Sequence, residues 1–165
     1  MTGGETVGPN PVTLLFRHVF GARMQALFAG RPRVADLGAT DLGSQHDLDG
    51  AFAAPGALDG ANLSAVGRAL GAALRPDAPV LLCLGPDRSE AGHLGLHALK
   101  ARLGPDFLWH DAFALGVIVP AESRQDWVRR HPQAFGVLAA VEGLVRRWPL
   151  MRAVGDYLVL EGVRR

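Results

Sequence analysis

The sequence predicts an α/β sandwich around a mostly parallel sheet. Three observations carry that prediction. Apolar runs of strand length alternate along the chain with stretches whose apolar residues recur at helical spacing. One run, Pro79–Leu84, is apolar at every position, the pattern of a strand buried on both faces of a parallel sheet. The segments are separated by short breaks such as Pro55-Gly56, Gly85-Pro86 and Gly104-Pro105, and no linker or internal repeat divides the chain. At 165 residues the chain is long enough for one domain with a sizeable core. We expect that domain over 11–165, behind a Gly- and Pro-rich disordered lead-in over 1–10.

The elements follow in order. Residues 11–29 place Val12, Leu15, Phe16, Val19, Phe20, Met24, Leu27 and Phe28 on one wide helical face, with Pro11 suited to the first turn and Gly30 to the stop. Residues 33–37 form the first strand, and 38–48 read as loop. Residues 49–53 make a second short strand. Asn62 or Ser64 caps a helix over 65–74, which Arg75-Pro76-Asp77 ends. The strand Pro79–Leu84 comes next, then a helix over 88–103 and a strand over 107–113. Residues 122–130 and 133–147 read as one helix interrupted at Pro132. A short helical turn over 149–154 leads into a final strand over 156–163.

Composition narrows the function classes. The apolar fraction is 48%, which suits a packed core rather than a disordered chain. The formal net charge is +1, so no strong field draws the chain to nucleic acid or an anionic membrane. Cys83 is the single cysteine and sits in an apolar run, so it reads as a buried structural thiol without a disulfide or zinc role. There is no signal-peptide pattern and no apolar stretch of the roughly 20 residues a membrane span needs. The expectation is a soluble cytoplasmic protein that binds neither nucleic acid nor membrane.

The segment Arg33, Val34, Ala35, Asp36, Leu37, Gly38 organises the rest. A short apolar strand ending in Asp-x-Gly opens many nucleotide-binding α/β sheets, because glycine lets the chain turn while a ligand lies close to the backbone. Together with Phe16 through Phe20 before it, this segment resembles the opening helix and first motif of class I S-adenosylmethionine-dependent methyltransferases. Asp49 through Leu58 is similar to that family's fourth strand and following loop. Leu74, Arg75, Pro76, Asp77 and the run to Leu82 resemble its turn and fifth strand. Leu115 through Pro120, then Trp148-Pro149-Leu150, then Gly155 through Val159, resemble the end of one bacterial subgroup. The resemblance implies a trimmed Rossmann-like three-layer sandwich with a five-stranded sheet. It implies the spatial order first strand, second, third, last, fourth, with the last strand antiparallel.

The departures from that family bear on function. Its first motif has glycines at the positions of Gly38, Thr40 and Leu42, and here only Gly38 is glycine. Asp41 adds a negative charge where the cofactor's carboxylate would lie. Only eleven residues, 38–48, separate the first two strands, so two strands and two helices of the family are missing. The resemblance therefore leaves Asp36 and Gly38 as a vacant remnant of a cofactor-binding motif, with no catalytic and no metal-binding residue. It also leaves the first strand as a sheet edge with one face uncovered, which usually marks an interaction surface.

Other signals have simpler readings. His93 and His97 have a metal-compatible i, i+4 spacing, with His110 or Asp111 as conceivable third ligands, but solvent-facing histidines explain them as well. Asp41, His46, Asp47 and Asp49 suggest either an acid–base site with His46 as proton carrier or a polar loop. The arginine-rich C-terminal third reads as a solvated face or partner contact. Trp109, Trp127 and Trp148 read as core or interface anchors.

Three functions follow as expectations. The first is a methyltransferase-like, non-catalytic partner or scaffold subunit that has lost S-adenosylmethionine. It would bind a second copy, a full-length methyltransferase or another pathway enzyme. The second is a divergent S-adenosylmethionine-dependent methyltransferase acting on a small molecule, its cofactor site completed by a partner. The third is a reused fold with a task near residues 41–49.

Overall fold

A computed structural model describes residues 10–85, 96–120 and 122–165. Helix α1 (Pro11–Phe28) starts with Pro11 at its first position and Asn10 as cap, whose side chain accepts from the Val12 amide. Strand β1 is short (Val34–Asp36), and β2 (Gly50–Ala53) pairs with it in parallel. Helix α2 (Leu63–Ala73) is capped by Asn62 rather than Ser64. Strand β3 (Pro79–Leu84) is buried at every position. Helix α3 is described over Leu96–Leu103, and the start of that expected helix, with His93, lies outside the described residues. Strand β4 (Phe107–Leu115) runs two residues beyond the expectation. Helices α4 (Gln125–Arg130), α5 (Pro132–Val145) and α6 (Met151–Val154) lead to β5 (Tyr157–Arg164).

The sheet order is β1-β2-β3-β5-β4. The pairs β1–β2 and β2–β3 are parallel, and β5 runs antiparallel to both β3 and β4. This is the trimmed Rossmann-like three-layer sandwich that the sequence predicts. Side chains alternate between two apolar layers. Val80, Leu82, Leu84, Leu158 and Leu160 pack toward α2 and α3. Leu81, Cys83, Phe113, Leu115 and Val159 pack toward α1, with Val128 of α4 and Leu138 of α5. Cys83 is buried as expected.

Two local readings change. Pro132 does not interrupt one long helix; it opens a new one, its missing N–H falling where α5 has no intrahelical acceptor to lose. The loop after β1 contains a single 3₁₀ turn, Leu42–Ser44, capped by Asp41.

Helix α5 is fixed to the end of β4 by one carboxylate. Glu142 is buried, and its two oxygens accept from the backbone amides of Gly116, Val117, Ile118 and Val119, at 2.6 Å from Gly116 and 2.8 Å from Ile118. Successive amides curled around an anion form a nest that offsets the cost of burying the charge. One turn later, the Arg146 carbonyl accepts from the Ala114 amide on the outer edge of β4.

Candidate functional site

The Asp36–Gly38 segment lies at the carboxyl end of β1, where open α/β sheets bind ligands. Its polar groups are engaged locally. The Asp36 carboxylate accepts from the Gly38 amide at 3.0 Å, and the Asp36 carbonyl accepts from the amides of Ala39 and Thr40. The Leu37 amide donates to the Phe52 carbonyl of β2. At Gly38 a Cβ would stand 3.4 Å from the Ala57 Cβ and from Asp36 Oδ1, at ordinary contact distance. Asp41 Oδ1 accepts from the Gly43 amide at 2.9 Å. Asp36 and Asp41 thus close short backbone turns, the usual work of this side chain in loops.

The other acidic groups of the loop do not converge with them. Asp49 is buried. It accepts from the Arg33 amide at 3.1 Å and pairs with Arg75 at 2.6 Å, tying the entry of β1 to the end of α2. The backbone carbonyl of His46 accepts from Arg33, and Asp47 takes a positive φ of 54° in the turn before β2. Among the described residues no three His, Cys, Asp or Glu side chains converge as a metal-ligand set. His97 is exposed on α3. His110 belongs to the opposite layer, where its Nε2 lies 3.1 Å from Glu161 Oε1.

Of that second group of charges the sequence singled out only His110 and Asp111, as conceivable metal ligands, and not their pairing with Glu161 and Arg23. Glu161 of β5 is buried and also accepts from Arg23 Nε of α1 at 3.0 Å. Asp111 receives Arg147 at 3.2 Å and Arg23 at 3.5 Å. His110 is the extra residue of a β-bulge between Trp109 and Asp111, which turns it toward Glu161. Burial, then the neighbouring Arg147 charge, hold the Arg146 guanidinium below the usual arginine range, and Glu142 opposes the shift. Arg23, His110, Asp111, Arg147 and Glu161 pair with one another and line none of the cavities described below, while Arg146 Nε is buried without a partner among the described residues. The evident work of the paired groups is to fasten α1 and the end of α5 onto β4 and β5.

Among the described residues, three cavities lie beside the sheet. The first, of about 480 Å³, has walls of Phe16, Phe20, Phe52 and Tyr157, with Arg17 and Thr13 at its polar side. Phe16 and Tyr157 meet edge to face with centroids 5.5 Å apart. The other two flank β1. One, between α1 and β1, has Met24, Phe28, Val34 and Phe52 in its walls. The other lies against α2, with Leu37, Thr40, Asp41, Leu42 and Val66 in its walls. Asp36 and Gly38 line none of the three. The aromatic cavity escapes a reading of the sequence because its walls come from α1, β2 and β5, which only the sheet order brings together.

The expectation of a bare apolar flank on the first strand needs revision. Among the described residues, none of the large exposed apolar side chains lies between 29 and 78; most lie between 137 and 154. Trp148, expected as a core or interface anchor, is one of these exposed side chains, whereas Trp109 packs against the core. No helix among the described residues is long and apolar enough to cross a membrane. Compared with models of protein families and with curated proteins, the chain matches none.

Proposed function

We propose that the chain is a methyltransferase-like protein that no longer binds S-adenosylmethionine and works as a non-catalytic partner subunit in the cytoplasm. The observation that carries this reading is the closure of the remnant motif on itself. Asp36 is spent on the Gly38 amide, and its carbonyl on Ala39 and Thr40. An adenosyl cofactor needs free amides and glycine backbone at that turn, and an acidic group for the ribose hydroxyls. Here Ala57 stands over Gly38, Thr40 and Leu42 carry side chains, and the chain passes from β1 to β2 without another strand. The residues present do not fit the group, so no methyl-transfer step is derived through it. The small net charge supports a protein partner over nucleic acid or membrane.

One observation favours a second reading, a divergent methyltransferase for a small molecule whose cofactor site a partner completes. The aromatic cavity of about 480 Å³ sits at the carboxyl end of the parallel strands and is of a size suited to a small ligand. Calorimetric titration of the full chain with S-adenosylmethionine separates the two. The first reading expects no binding up to millimolar cofactor; micromolar affinity overturns it in favour of the second.

A further inference from the structure

The outer face of α5 is unusual for a helix on a surface. From Pro132 to Val145 the only polar side chains are Gln133 and Glu142, and Glu142 points inward. A helix apolar all round belongs in an interior. Yet Val137, Val141, Leu144 and Trp148, spaced four, three and four residues apart, form one outward stripe, with Val137 64%, Leu144 76% and Trp148 58% exposed. Leu150 and Val154 extend it and are 81% and 65% exposed. The stripe cannot rotate inward, because the Glu142 carboxylate is held by the amides of 116–119.

We infer that this face is the interface between two copies of the chain. The inference rests on the reading of the chain as a partner-binding subunit and names the partner. Three observations select a second copy. These six side chains expose on the order of 700 Å² per chain, above the largest patch of an ordinary monomer and near the roughly 800 Å² each partner buries in a standard interface. The face carries no charge between 134 and 145, so it does not specify a partner of opposite sign. It also alternates bulky and small: beside the row Val137, Val141 and Leu144 runs the exposed row Gly136, Ala140 and Gly143. Among the described residues a Cβ at Gly136 or Gly143 would meet nothing within 4 Å, so no packing there accounts for two helix-weakening glycines. Against a symmetry mate they form the notches that receive the other copy's bulky residues. The arginines at the C-terminal end do not oppose this. Arg147 pairs with Asp111, and Arg146 lies over the Phe113 ring at 5.2 Å, both directed back to the sheet.

Sedimentation equilibrium of the full chain across the micromolar range tests the assignment without reference to any cofactor. The expected mass is twice 17.5 kDa, falling to 17.5 kDa for Leu144→Glu and for Val137→Lys. Both positions are well exposed, so the variants' circular dichroism spectra should match the wild type's, any fall in Tm being no more than the lost association explains. Ala39→Glu, on the exposed loop after β1, should leave the dimer intact. A wild-type mass of 17.5 kDa throughout overturns the inference, as does a Leu144→Glu or Val137→Lys chain that still dimerises. Loss of the dimer in Ala39→Glu alone would move the interface to β1. Leu144-dependent capture by phosphatidylserine vesicles would assign the face to a lipid surface instead. Failure here with no cofactor binding leaves the non-catalytic reading standing; a dimer that binds cofactor removes that reading and keeps the interface.

Discussion

The two edges of the sheet are protected in opposite ways. The β1 edge is protected by brevity: three residues, ended by a turn that Asp36 closes on its own backbone. A short edge offers few free amides and carbonyls to a stranger. The β4 edge is nine residues long, and its carboxyl end is protected by cover: the Arg146 carbonyl accepts from the Ala114 amide and α6 packs against the strand. Cover moves the exposure outward. The apolar inner face of α5 meets the core, and an equally apolar outer face meets whatever lies beyond. Shortening an edge therefore ends the problem, while covering it with a helix apolar on both faces transfers the problem to the next surface.

The largest effect that would sharpen this contrast is at the clamp. Glu142→Ala removes a buried acceptor from four backbone amides and leaves them without partners. The expected loss is about 3 kcal/mol, a fall in Tm of roughly 10 °C for a chain of this size. A thermal melt checks it. Because Glu142 sets the rotation of α5, the same variant should also weaken self-association, which a simple loss of stability elsewhere in the sheet would not do. An unchanged melting temperature would mean that packing alone holds the cover on β4.

A smaller effect is expected on the opposite side. A Cβ at Gly50 would lie 2.6 Å from the Phe28 ring and 3.1 Å from the Pro79 carbonyl. Gly50→Ala should therefore push α1 from β2, at a cost of about 2 kcal/mol in a denaturant melt. The dimer should persist, since the strain falls on the edge that carries no interface.

The apolar and alternating runs gave the strands, but their order and the reversal at the last strand came only from the family resemblance. The sequence did not carry the burden on α5. Periodicity reads that helix as continuous with α4, and Pro132 looks like an interruption until the chain is seen to start a new helix there. Glu142 carries no signal in the sequence; only the loop 116–119, folded back from β4, makes it an internal anchor. The pairing of Arg23 with Glu161 and Asp111 was equally illegible, since it joins residues as far as 138 positions apart. Asp36 and Gly38 were legible as a motif, but the sequence could not say that the carboxylate would turn onto its neighbour's amide.

The smallest expected effect bears on that last point. Asp36→Ala removes one local acceptor from a partly exposed turn, and the Gly38 amide can turn to water in its place. The expected cost is about 0.5–1 kcal/mol, within the range of a lost neutral hydrogen bond near the surface. Were the carboxylate instead poised for a ligand, its removal would do the opposite. An acid held for binding sits in a site arranged against its own stability, and its loss tends to stabilise the fold while abolishing affinity. A melt of Asp36→Ala beside the wild type, each with and without S-adenosylmethionine, separates the two cases. A slightly lowered Tm that ignores the cofactor is what a turn residue gives; a raised Tm, or a wild-type Tm that climbs with cofactor while the variant's does not, would restore β1 as a binding edge and reverse the contrast with β4.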